Sequence, residues 1–274
     1  MKTCKTLKSP IKSFGGKSGM QNKLYELFPK DYEVMIEPFM GSMIMTLNNP
    51  VEKCTEIVND LNLNIYTLFK VIQNPEAFEK LKQKLDLTCY HEVLFKDSQN
   101  ALNYNLSEVD RAYHFFILNR QSYSGNNASF GKNYCIRRNM SKSTSDFLST
   151  IDGLDIIHRR ISQMIILNRD GIKLIDENRM YDNTFIYCDP PYHHSTRTST
   201  RYPVDMSNEQ QEELLHVLTK PDVKSKILLS GYNCELYERV LVQKNGWVNY
   251  SFDVHTVSGS NKPKTKIETL WKNY

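Results

Sequence analysis

The sequence has no apolar run long enough to span a membrane, and its first residues lack the apolar stretch of a signal peptide. No membrane partner is expected, and the expected setting is a cytoplasm, or a host cytoplasm if the source is viral. Cysteine is sparse and scattered, at positions 4, 54, 89, 135, 188 and 234, with no Cys-x-x-Cys pair. That excludes a disulfide frame and a zinc site, and it fits reduced thiols. The neighbouring His193 and His194 have no third ligand at suitable spacing, so no metal is expected. Strong charge is lacking as well. A net charge of +4 over 274 residues permits a polyanionic partner without demanding one. Apolar content is not lacking. With 40% hydrophobic residues, 16 Tyr and 12 Phe, the chain can fill one large domain with an insertion, or two modest domains.

The most informative stretch is Thr184 to Tyr192. The β-branched and aromatic run 184–188 reads as a buried strand after an Asp182-Asn183 turn. Pro190 and Pro191 cannot continue a ladder, because neither has an N–H to donate. Asp189 is thereby placed at the carboxyl end of a strand, where open α/β sheets hold their ligands. A carboxylate, stiff carbonyl acceptors and the Tyr192 ring together suit a planar amine. A plain strand-to-loop turn would look the same in isolation.

Other stretches repeat the pattern. Val34-Met35-Ile36 runs into Glu37-Pro38-Phe39-Met40-Gly41-Ser42 and a short helical segment, the form of a nucleotide-binding turn. Glu56-Ile57-Val58-Asn59 runs into Asp60 at the spacing where a carboxylate takes ribose hydroxyls. The two together point to an adenosine-containing ligand, although Asp60 alone also suits the N-cap of a helix over 61–72. Met164 to Leu167 leads to Asp170. Upstream, Ser13-Phe14-Gly15-Gly16-Lys17-Ser18-Gly19 offers a backbone that can approach a ligand and a cation beside it. It is not a P-loop, since the glycine spacing and the preceding strand are missing.

The remaining elements complete an α/β order. Helices are expected over 172–180, 208–218 and 234–241, a strand over 226–231, and an antiparallel pair over 247–255 and 266–272. The predicted fold is a doubly wound, Rossmann-like α/β sheet with an antiparallel terminal hairpin. Residues 74–146 break the pattern. Helices are followed by a polar, loop-rich segment holding Asn119, Arg120, Tyr123, Asn126, Lys132, Arg137 and Arg138, residue types that read base edges, bind phosphate and stack. They read as a mostly helical insertion that contacts nucleic acid. The expected division is 1–73 for the cofactor part, 74–146 for target recognition and 147–274 for the catalytic part.

The order Phe14-Gly15-Gly16-Lys17, Glu37-Pro38-Phe39-x-Gly41-Ser42, Asn59-Asp60-Leu61-Asn62 and Asp189-Pro190-Pro191-Tyr192 resembles the Dam-type, alpha-group DNA adenine methyltransferases over nearly the whole chain. The ending Lys266 to Tyr274 resembles that family as well. The resemblance implies S-adenosylmethionine as methyl donor and the N6 amine of adenine in double-stranded DNA as acceptor. Ser13, Phe14, Gly15, Gly16 and Lys17 would touch the methionine end of the cofactor. Glu37, Pro38, Phe39, Gly41 and Ser42 would lie under it, Asp60 would bind the ribose, and Asp170 would sit near the adenine. Asp189, Pro190, Pro191 and Tyr192 would carry catalysis, with the base flipped out and stacked on Tyr192. Arg197 and Arg201 would hold phosphates beside the site. A monomer is expected. The chain departs from the family at Met43, where a second small residue is usual, and across 121–131. A methyltransferase of the same fold acting on RNA, and a non-catalytic DNA-binding relative, are the alternatives.

Overall fold

The computed structural model describes residues 6–12, 17–193, 205–256 and 264–274. In chain order the main elements are α1 (Gln21–Leu27), β1 (Val34–Glu37), α2 (Ile44–Leu47), β2 (Thr55–Asn59), α3 (Leu63–Gln73), α4 (Pro75–Asp86), α5 (Glu92–Ala101) and α6 (Glu108–Gln121). There follow β3 (Ile136–Arg137), β4 (Met140–Ser141), α7 (Lys142–Asp152), α8 (Leu154–Ile161), β5 (Ile165–Leu167), α9 (Gly171–Asn178) and β6 (Thr184–Cys188). The last are α10 (Asn208–Leu218), β7 (Lys226–Gly231), a single turn α11 (Glu235–Tyr237), β8 (Val248–Thr256) and β9 (Lys264–Lys272). The chain forms two compact units. One comprises Met1–Glu26, Gly41–Pro50 and Asn62–Asn168, and the other Leu27–Met40, Val51–Leu61 and Arg169–Tyr274.

The second unit is built on a sheet in the order β2-β1-β6-β7-β9-β8. β2, β1, β6 and β7 run parallel, and β9 and β8 join antiparallel. Every residue of β6 is buried, as a central parallel strand covered on both faces requires. Phe185 of β6 meets Phe28 at 4.6 Å between ring centroids and Tyr32 at 5.2 Å. α9 and α10 pack together. Arg179, just past α9, grips Asp222 with two bonds of 2.9 and 2.6 Å. Ser207 and Gln210 form a reciprocal capping box at the start of α10. The helix expected over 234–241 takes another form: α11 is one turn, and residues 238–243 continue as a π-helix. Gly246, at φ +68°, closes this segment with its N–H on the Val242 carbonyl.

The first unit is helical. α3 and α6 pack closely, and α4, α5, α7 and α8 add to the same core, with Phe69, Leu81, Phe116, Phe147 and Leu154 fully buried. Caps start these helices where polar side chains precede apolar runs: Asn62 for α3, Asn74 for α4, Ser107 for α6 and Ser141 for α7. The cap of α3 is therefore Asn62 and not Asp60, because the helix begins two residues later than its apolar pattern suggests. β3 and β4 form a small antiparallel hairpin. Its two turn residues, Arg138 and Asn139, both have positive φ, 53° and 59°. That is the backbone of a type I′ turn, which matches the twist of the flanking strands.

Candidate active site

The strand order puts three carboxylates on one rim of the second unit. Glu37 ends β1, Asp60 follows β2 and Asp189 follows β6, and these strands are neighbours and parallel. A parallel sheet carries all its carboxyl ends on one side, so adjacency in the sheet becomes adjacency on the rim. Glu37 is buried, while Asp60 and Asp189 are half-buried. Cys188, directly before Asp189, is fully buried, and burial followed by the Asp189 charge pushes its thiol up, so it stays a neutral apolar filler.

The Asp189-Pro190-Pro191-Tyr192 turn is fastened from two sides. Gln211 of α10 donates its amide to the Pro191 carbonyl at 2.7 Å, and Gln211 in turn accepts from the Tyr237 hydroxyl at 2.5 Å. Tyr192 is only 4% exposed. Its hydroxyl lies 3.1 Å from Asp189 Oδ1 and 3.4 Å from Ser230 Oγ, and it also donates to Glu268 Oε1. Ser230 donates to the same Glu268 oxygen at 2.9 Å. Burial first, then the Asp189 and Glu268 charges, raise the Tyr192 phenol well above its ordinary value, so it is a neutral donor at any working pH. The half-buried Tyr232 meets the Tyr192 ring edge-on at 4.7 Å.

A second knot joins the loops after β1 and β2 to the start of α9. Asn59 is wholly buried. Its Nδ2 donates to the Pro38 carbonyl at 2.8 Å and the Arg169 carbonyl at 2.9 Å, and its Oδ1 accepts from the Arg169 N–H at 2.9 Å. Its carbonyl accepts from Met40 N–H at 2.8 Å. Asp170 caps α9, with Oδ1 accepting from the N–H groups of Ile172 and Lys173. Gly171 sits so close to the previous loop that a Cβ there would lie 2.7 Å from the Phe39 ring and 3.0 Å from the Pro38 carbonyl. Pro38, Phe39, Asp60 and Asp170 are thus held on one platform.

Other residues expected at the cofactor lie in the first unit. Lys17 is buried in a short 3-10 turn, Gly41 has φ +45°, and Ser42 is buried. Met43, the departure from the family pattern, is fully buried and left-handed at φ 56° as it enters α2. A side chain in that conformation costs about 1–3 kcal/mol, so its packing has to hold it there. Ser13, Phe14, Gly15, Gly16, Arg197 and Arg201 lie outside the described residues.

The residues expected at nucleic acid divide into two groups. Asn119 and Arg120 point inward. Asn119, 3% exposed, clamps the backbone of Lys12 with bonds of 2.7 and 2.9 Å. The Arg120 guanidinium bonds the Asp146 carbonyl at 3.3 Å, and its pKa is lowered to about 10, chiefly by burial, with Asp146 opposing. Arg120 also lines a cleft of about 440 Å³ with Lys8, Lys12, Gln21 and Ser42. Asn126 is spent on its own turn, accepting from the N–H groups of Ala128 and Ser129. The outward group is Tyr123, Lys132, Arg137 and Arg138. Lys132 lies 3.8 Å from Glu92, Arg137 is paired with Asp146 at 2.5 Å, and Arg138 bonds Ser149 at 2.8 Å. Beside them stand Tyr134, 91% exposed, and Ile136, 83% exposed, on or next to the β3–β4 hairpin. Ile136 escaped the sequence reading, because Arg138-Asn139 has no glycine to mark a two-residue hairpin turn. Asn59, Gln211 and Glu268 also escaped as site residues, and no local pattern marks their partners.

Among the described residues no group of three or more His, Cys, Asp or Glu is arranged to hold a metal ion, and no helix is long and apolar enough to cross a membrane. A family model for the D12 class N6 adenine-specific DNA methyltransferases matches residues 13–257. The modification methylase StsI of Streptococcus sanguinis is 25% identical, with 99% of this chain aligned to 44% of that protein. This chain therefore spans less than half the length of that relative. The type II methyltransferase M.MjaIII of Methanocaldococcus jannaschii is 24% identical over 84% of this chain and 86% of its own. A DNA adenine methylase of Haemophilus influenzae is 25% identical over 86% of each.

Proposed function

The chain belongs to the D12 class N6 adenine-specific DNA methyltransferase family, and from that premise we propose that it moves a methyl group from S-adenosylmethionine to the N6 amine of an adenine extruded from double-stranded DNA. The observation that carries this reading is the buttressed Asp189-to-Tyr192 turn beside Glu37 and Asp60 on one rim.

The rim residues suit the cofactor chemically. Two carboxylates at the ends of neighbouring parallel strands match ribose hydroxyls and a cationic centre, and the Phe39 ring supplies an apolar face. Asp60, Glu37 and Phe39 would hold the cofactor, with Asp170 keeping the platform in place through its helix cap. When bound, the cofactor supplies an electrophilic methyl on a sulfonium.

The protein's own task is to make a poor nucleophile competent. The lone pair of an adenine amine is delocalised into the ring. Asp189 and the Pro190 carbonyl accept its two N–H bonds, which favours a tetrahedral nitrogen with a directed lone pair. Orientation and electrostatics of this kind supply several kcal/mol. The prolines keep the acceptors from relaxing away, and Gln211 holds the Pro191 carbonyl so that the turn has one geometry. The expected stacking surface, the Tyr192 ring, is 4% exposed and covered by protein, so the extruded base stacks on the half-buried Tyr232 beside it, returning part of the few kcal/mol that unstacking costs.

The first unit contributes DNA contacts. Its hairpin offers Arg137 and Arg138 for phosphate and the exposed Tyr134, Ile136 and Tyr123 for groove or stacking contact. Binding then weakens as salt rises. A monomer suffices, since one base is modified per event.

The test is transfer of labelled methyl to duplex DNA, RNA and protein by the wild type and by Asp189→Ala. Label on duplex DNA that disappears in the variant is the expected result. Label on RNA or protein alone would transfer the reading to another substrate class, and an unchanged Asp189→Ala would refute the mechanism.

A further inference from the structure

The Tyr192 hydroxyl has one proton and two carboxylates within reach. Asp189 is the acceptor that the proposed reaction needs. A proton delivered to it by Tyr192 would occupy one of its oxygens and weaken its pull on the target amine. Glu268 is the competitor. It is 4% exposed, it sits on β9, and it lies 76 residues from Tyr192 in sequence. Strand register brings it there: Ser230 pairs with Leu270 and Gly231 with Thr269, which carries Glu268 to the end of β7. Ser230 donates to the same carboxylate oxygen, so Glu268 is aimed and partly satisfied before Tyr192 adds its bond. A buried carboxylate fixed in this way draws a charge-assisted hydrogen bond more strongly than a half-buried one facing a ligand site.

We propose that Glu268 is a positioning residue for methyl transfer: it takes the Tyr192 hydroxyl proton in a hydrogen bond and so loosens the hold of that phenol on Asp189, the acceptor for the target amine. This rests on the reading of Asp189 as that acceptor. With that proton drawn to Glu268, the amine N–H meets less competition for the Asp189 carboxylate.

A merely structural buried carboxylate would not share one consequence of this role. Glu268→Gln keeps shape and replaces a carboxyl group with an amide. The Tyr192 proton then turns to Asp189, the other carboxylate that its hydroxyl meets among the described residues, and kcat for methyl transfer to duplex DNA falls. Loss of about one charge-assisted bond corresponds to roughly ten- to hundredfold, with the KM values for cofactor and DNA little moved. In a Tyr192→Phe background there is no proton to divert, so adding Glu268→Gln changes kcat by less than about twofold. The experiment is single-turnover methyl transfer with the wild type, both single variants, the double variant and Asp189→Ala, with urea unfolding of each. Glu268→Met, close in volume and likewise uncharged, repeats the cycle if the glutamine chain does not fold. Equal losses from the Glu268 change in the wild-type and Tyr192→Phe backgrounds, or no loss in either, would overturn the proposal. An active Asp189→Ala would instead overturn the reading beneath it, so the two failures are told apart.

Discussion

Asn59→Asp tests the physical account of the rim with an almost isosteric change. In the wild type, Nδ2 of Asn59 donates to the Pro38 and Arg169 carbonyls at 2.8 and 2.9 Å, while Oδ1 accepts from the Arg169 N–H. An aspartate keeps the last bond and turns the other two into contacts between oxygens. Each buried carbonyl left without its donor costs about 1–3 kcal/mol, so the pair costs about 4 kcal/mol. The new carboxyl can recover one of the two bonds by taking a proton. Its folded pKa is therefore raised above the unfolded value of about 3.9. The sign follows from linkage. A raised folded pKa means stability that is present at low pH and lost as pH climbs through the folded value. The penalty is thus about 2 kcal/mol on the acid side and about 4 kcal/mol at pH 8. At roughly 2–4 °C per kcal/mol, the alkaline penalty lowers Tm by about 10 °C. Urea unfolding of both chains at pH 5 and pH 8 measures it, and cofactor binding by calorimetry should weaken in parallel. A gap below about 1 kcal/mol at pH 8, or a gap that does not widen with pH, would refute the claim that this amide ties the loops.

Three further outcomes are expected. Lys12 is half-buried, with desolvation first and then Arg120 lowering its ammonium to about 8, and Asp146 opposing. A depressed folded pKa gives stability above the unfolded value that is lost as pH falls through about 8. Wild-type stability should therefore rise relative to Lys12→Met between about pH 8 and 10.5, as read by unfolding midpoints. Asn119→Ala removes both bonds to the Lys12 backbone and should cost about 1–3 kcal/mol, with faster amide exchange at the N-terminal segment and unchanged exchange in the second unit. Arg138→Asn keeps a residue type that tolerates φ 53° and should lower the salt slope of DNA binding by about 1, without changing the unfolding midpoint. An unaltered slope would take Arg138 out of the phosphate contacts.

The parts of the site legible in the sequence are those whose cause is local. A run of β-branched and aromatic residues that stops at Asp189 before two prolines can only be a strand end, and Glu37 and Asp60 repeat the pattern. The direction of the polar groups in the basic segment has no such local cause. Arg137 and Arg138 lie on an exposed hairpin, but Asn119 and Arg120 turn inward, because α6 ends inside its unit and buried backbone there needs donors and acceptors. Composition counts such residues alike, and only burial separates a phosphate contact from a backbone clamp.

Local sequence set the class of the fold, the carboxyl-end position of the acids and the cap Ser207, since these depend on periodicity and on groups a few residues apart. Which acid serves which proton was settled by folding. Glu268 reaches Tyr192 through the register of β9 on β7, and Asn59 reaches Pro38 and Arg169 through the order of the parallel strands. Those partners lie tens of residues away along the chain, where no local rule acts. Sheet order and burial choose them, by requiring every polar group taken out of water to meet another.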